Sequence, residues 1–100
     1  MSGTYTRGVV VKGPDLLAEH DYRPYICLSD ESHPFSDEEA IYAAITTTRR
    51  AVAIPLGDSD FVAGGLPRES YANPWTPVSI RHSDIQQEEG RLIEDTITNI

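Results

Sequence analysis

Three side chains stand at the ends of apolar runs, where chemistry becomes possible. Arg23 precedes the run Tyr25-Ile26-Cys27-Leu28, and Thr46 and Thr47 close a longer one at residues 40–48. A guanidinium offers a planar fork of donors that holds a phosphate bidentately, and a threonine hydroxyl can donate to a phosphate oxygen. Brought together, they suit the pentavalent transition state of phosphodiester cleavage, in which charge grows on non-bridging oxygens. Pro24 stiffens the backbone beside the arginine. Each residue also has a plainer role: Arg23 as a solvated cation at a loop end, and the threonines as β-branched strand formers.

Other chemistry finds little support. His20, His33 and His82 have no ligand spacing among themselves or with the single cysteine, Cys27, so neither a metal nor a cofactor is expected. His82-Ser83-Asp84 contains triad letters, but neighbouring residues do not face one another as a triad does. No phosphate loop, Gly-x-Gly-x-x-Gly or aromatic RNA-recognition signature occurs.

The elements that must carry Arg23 and Thr46 are short and β-rich. Residues 7–12 form a β-branched run that ends at the turn signal Gly13-Pro14, and residues 25–28 are a second run. The acidic stretch 29–39, "SDESHPFSDEE", reads as an exposed loop. Residues 40–48 form the strongest strand candidate, although their alanines also suit a helix. Residues 51–55, 58–62 and 75–81 are further candidates, with Pro74 and Pro77 favouring an edge or a bulge for the last. Gly64-Gly65 reads as a hairpin turn. Ser83 and Gln86 have capping-box spacing for a helical turn that Gly90 would end, and Ile93, Ile97 and Ile100 keep helical spacing. Five to seven short strands with one or two helical segments predict a mainly β fold, a small barrel or sandwich forming one domain over residues 1–100.

Composition bounds the partners. Sixteen acids face eight bases, giving a net charge of −8, and Lys12 is the only lysine. At low salt this field repels a phosphate chain. At about 1 M salt the Debye length shrinks to about 3 Å and only local contacts count. Bulk carboxylate with almost no lysine is the composition expected of a halophilic-type acidic protein. Stability should therefore rise as KCl goes from dilute buffer to molar levels, which denaturant midpoints across that range would check. With no secretory or membrane-spanning segment, the chain is expected to be cytoplasmic.

The order of short motifs resembles the MazF/PemK-like (Kid-like) toxins of toxin–antitoxin systems. Arg7-Gly8-Val9-Val10 is similar to that family's first strand, Arg23-Pro24-Tyr25-Ile26-Cys27-Leu28-Ser29 to its Arg-Pro strand, and Ala43-Ala44-Ile45-Thr46-Thr47 to its alanine-to-threonine strand. The segment "ESYANPWTPVSIRHSDI" and the later "GRL", residues 90–92, resemble the family's remaining pieces in order. The resemblance implies an SH3-like β-barrel that forms a homodimer. It also implies metal-independent, sequence-selective cleavage of single-stranded RNA by its own 2′-hydroxyl, and a cognate antitoxin as protein partner. The family's arginine corresponds to Arg23, stabilising phosphorane charge and a candidate acid, and its threonine to Thr46, positioning the phosphate. Thr47, His20, Arg81 and His82 are candidate substrate contacts. On these grounds Arg23→Ala is expected to abolish cleavage and leave the fold intact.

Three departures from the family pattern stand out. Where some members place a carboxylate base, a simple count finds Trp75, leaving Arg81 and His82 as nearby substitutes. The family's C-terminal helix is expected to be shortened or absent, and the loop 29–39 is acidic. An alternative therefore stays open, a non-catalytic nucleic-acid- or protein-binding member of the same fold. A third is an unrelated β-module, in which Arg23 and Thr46 would lie far apart.

Overall fold

The computed structural model describes residues 4–16 and 21–100. Seven strands form one antiparallel sheet: β1 (Val9–Pro14), β2 (Tyr22–Cys27), β3 (Glu39–Thr46), β4 (Ile54–Leu56), β5 (Phe61–Gly64), β6 (Ser70–Arg81) and β7 (Gln87–Leu92). Their order across the sheet is β4-β6-β3-β2-β1-β7-β5, so the central strands are the runs "VVV", "YIC" and "AIYAAI". The sheet curls into a half-barrel that fits a small β-barrel fold.

The central strands are apolar without alternation because both of their faces are covered. Val9, Val11, Tyr25, Cys27, Tyr42 and Ala44 pack on one face. Val10, Ile26, Ile45, Leu56, Ala72, Leu92 and Ile97 pack on the other. This two-sided burial also decides 40–48: its alanines pair as β3 between two strands, since small side chains admit close neighbours on either face.

β6 resolves the proline question. Ala43 pairs with Pro77 while Ala44 pairs with Asn73, so residues 74–76 are extruded as a bulge. Trp75 stands on that bulge, 48% exposed, rather than in the core. β4 flanks β6 only at residues 70–72, so both prolines face no ladder partner on that side.

The C-terminal reading is corrected in part. Ser83 is not a cap: a 3₁₀ turn spans His82–Asp84 after Arg81, and Gly90 lies inside β7. A helix is present and short, α1 (Glu94–Thr98), and it buries Ile97. Residues 58–62 divide into a 3₁₀ turn, Asp58–Asp60, and the start of β5. The Thr96 hydroxyl donates to Asp60 at 2.7 Å and the Ile93 N–H to the Asp60 carbonyl at 2.8 Å, tying α1 to that turn. No helix among the described residues is long and apolar enough to cross a membrane.

Burial has a pH consequence. Desolvation raises the Cys27 thiol from 9.0 to about 11, and it raises the Tyr25 and Tyr42 hydroxyls as well. The folded protein keeps these protons where the unfolded chain releases them, so stability is complete below the unfolded values and falls as pH rises through the folded ones. Urea midpoints should hold level up to about pH 8 and decline between about pH 9 and 11. A midpoint unchanged at pH 10.5 would contradict this.

Candidate functional site

The site begins with Tyr25, which is fully buried on β2. Its hydroxyl donates to the Pro14 carbonyl at 2.6 Å and accepts the Leu16 N–H at 3.2 Å. The residue between those two anchors is Asp15, whose N–H also donates to the Asp21 carbonyl at 3.1 Å. The Asp15 side chain is 0% exposed, and its Oδ1 lies 2.9 Å from Nε of Arg23. A core tyrosine thus holds the loop that holds the arginine. The contact is an ion pair at the Nε edge rather than an aligned hydrogen bond.

Thr46 ends β3 two residues past Ala44, and Arg23 lies on β2 two residues before Tyr25, the partner of Ala44, so both stand at the same end of the β2–β3 ladder. The threonine that lines the neighbouring pocket is Thr47. The Thr46 hydroxyl oxygen accepts the Thr48 N–H at 3.1 Å, which leaves its own proton to donate outward.

Beside this pair lies a pocket of about 300 Å³. Lys12, Arg23, Arg68, Thr47 and Ser70 supply cations and hydroxyls, Tyr22, Pro24, Leu66 and Pro67 supply apolar surface, and Glu89 is the carboxylate of the lining. Among the described residues the lining gathers three bases, one of them paired with the buried Asp15, and one acid, in a chain whose average is the reverse. Local charge is favourable for an anion although the net field is not. Arg49 and Arg50, just past Thr48, line a neighbouring depression with Glu69 and Tyr71.

The other candidates lie elsewhere. Arg81 pairs with Glu39, at the far end of β3 from Thr46, about 24 Å along the strand. His82 is buried, with Nε2 donating to the Ser36 carbonyl at 2.7 Å and its ring tilted against Tyr5 at 5.7 Å. That contact ties the acidic loop to the end of β6. The structure therefore does not bring Arg81 and His82 to Arg23. His20 lies outside the described residues. Among the described residues, no group of histidine, cysteine or carboxylate side chains is arranged to hold a metal ion.

Sequence reasoning missed Asp15, Lys12, Arg68 and Glu89. Asp15 directly follows the Gly13-Pro14 turn and was the one open to notice, being an acid placed just before an Arg-Pro step. The other three converge from β1, the 65–69 connection and β7, which no local motif reports.

Fold and pocket together define a class, a curled antiparallel half-barrel with a basic, partly apolar hollow at the ends of its central strands. Solved structures share that fold. An endoribonuclease from Mycobacterial species superposes with a TM-score of 0.75 at 21% identity, over 98% of this chain and 85% of that one. An endoribonuclease in complex with its cognate antitoxin, also from Mycobacterial species, gives 0.72 at 18% identity, over 95% and 83%. No family model and no curated protein matches the sequence. The fold implied by the resemblance to MazF/PemK-like toxins is the fold found.

Proposed function

We propose that this protein is a metal-independent endoribonuclease of the toxin type, cleaving single-stranded RNA at selected sequences. The observation that carries the reading is the Arg23 guanidinium, fixed at 2.9 Å by a buried carboxylate next to a pocket rich in cations within an acidic protein. In the proposed step the RNA 2′-oxygen attacks the adjacent phosphorus and the bond to the 5′-oxygen breaks. The products are a 2′,3′-cyclic phosphate and a 5′-hydroxyl. Arg23 meets the charge that grows on the non-bridging oxygens, and Thr46 donates to one of them. In this reading Glu89, a carboxylate of the lining, takes the 2′-hydroxyl proton as base, and Arg23 gives a proton to the departing 5′-oxygen as acid. The likeness to an endoribonuclease in complex with its cognate antitoxin supports a cognate antitoxin as partner; a homodimer and a cytoplasmic setting belong to the same reading through the motif resemblance alone.

The test is incubation of the protein with a long single-stranded RNA in molar KCl and EDTA, with fragment ends mapped. Site-specific cuts are expected from the wild type. Thr46→Val should slow them about a hundredfold by removing one donor to the transition state. Intact RNA after long incubation with folded protein would sink the enzymatic reading. Tight RNA binding in that same experiment would favour the non-catalytic alternative.

A further inference from the structure

The pocket beside Arg23 is built for more than a phosphate. A phosphate needs cations and hydroxyls, which Lys12, Arg68 and Thr47 offer, but it has no use for the apolar wall of Pro24, Leu66 and Pro67. The volume of about 300 Å³ reaches the lower end of the range for small-molecule pockets, about 300–1,000 Å³. Tyr22 adds an aromatic face: it lines the pocket, is 45% exposed and hangs from the residue next to Arg23. The Lys12 ammonium sits 5.5 Å from the centre of its ring. Lys12 pairs with Pro24 and Pro14 with Tyr22, so strand alternation puts Lys12, Tyr22 and Pro24 on one face, while Arg23 between them turns to the other, toward Asp15. A cation over one side of an aromatic ring holds the ring in place and leaves the opposite side for a flat partner.

From this we infer that the pocket accepts a nucleobase together with its phosphate, and that the Tyr22 ring is the surface on which the base stacks. The inference rests on the ribonuclease reading above and names the part of the substrate that reading leaves open. Tyr22 is then a binding residue for a base whose phosphate meets Lys12 and Arg68 in the same pocket, with Lys12 also the positioning residue of the ring. Stacking tolerates any base, so Tyr22 contributes affinity, and sequence selection comes from groups that touch base edges.

Binding, rather than cleavage, separates the two readings. Two fluorescent oligomers of equal length and charge would be titrated into the full chain. One is a 2′-O-methyl RNA dodecamer of randomised sequence, which cannot be cut, and the other is a dodecamer of the same backbone without bases. The wild type should bind the base-bearing oligomer more tightly than the abasic one. Tyr22→Leu should weaken the first by roughly tenfold, the loss of one stacked base, and leave the second unchanged. Tyr22→Phe should keep the wild-type preference. Since Tyr22 is half exposed, both variants should fold, and matching thermal melts would verify it. A Tyr22→Leu protein that retains the full preference for bases overturns the stacking assignment alone. Equal weakening on both oligomers overturns it too, since the loss would then lie in phosphate contacts. A wild type that binds neither oligomer overturns the stacking assignment and the RNA reading together.

Discussion

Arg23→Ala is expected to lower RNA cleavage at least a thousandfold and to cost about 3 kcal/mol of stability in the same protein. The first effect follows from the proposed mechanism, in which the fork meets charge that exists only in the transition state. The second follows from Asp15, a carboxylate with no exposed side-chain surface that faces Nε of Arg23 at 2.9 Å. Removing the cation takes a counter-charge at 2.9 Å from a buried carboxylate, which is costlier than never having had the pair. This corrects the expectation that alanine at position 23 would spare the fold, because the arginine stands over a buried acid and not in open solvent. The double variant Asp15→Asn/Arg23→Met separates the effects. It should recover most of the stability, measured by urea unfolding, and none of the cleavage. Arg23→Lys keeps a charge but loses the planar fork, so cleavage should stay low while stability is largely kept. If the double variant regained cleavage along with stability, Arg23 would be structural and the catalytic assignment would fall.

Gly64→Ala should be as damaging, from a place with no chemistry of its own. Gly64 has φ of +65° and pairs with Gly90 across β5 and β7. A Cβ there would lie 2.2 Å from the Glu89 carbonyl oxygen, and one on Gly90 would lie 2.6 Å from the Ala63 carbonyl oxygen. Both obstacles are backbone, so neither can swing aside, and the left-handed conformation adds its own strain for any residue with a side chain. A loss of about 4 kcal/mol is expected, a large share of the stability of a domain this size. The crossing also lies beside the pocket: Glu89 is next to Gly90, and Leu66, Pro67 and Arg68 follow Gly64 after one residue, Gly65. Any Gly64→Ala protein that still folds should therefore lose cleavage as well, through displaced pocket walls. Unfolding and cleavage measured on that one variant would check both, and a variant with wild-type stability would show that β5 and β7 do not need this close approach.

Local pattern carried much of this protein. The runs at 9–11 and 25–27 are apolar and β-rich enough to be strands whatever surrounds them, and Arg23 and Thr46 were legible as candidates because each stands at the end of an apolar run. The isoleucine spacing near the end was likewise enough to expect a short helix there. Other features depended on partners distant in sequence. Whether "EAIYAAIT" became helix or strand was decided by β2 and β6 pairing on both sides of it. Gly64-Gly65 looked like a turn, but Gly64 is one half of a crossing whose other half is Gly90. Arg81 and His82 looked close to the site by count, yet β6 carries them to the opposite end of β3, since a strand separates its ends by about 3.4 Å per residue.

The sequence by itself determined which side chains could do phosphate chemistry and which runs would be strands, because residue type and two-residue alternation are local properties. Only the tertiary structure decided that Arg23 would be pinned by Asp15 and accompanied by Lys12, Arg68 and Glu89 from three other segments. That convergence is set by how an antiparallel sheet curls and where its bulges fall, which is a property of pairing between strands and not of any one of them.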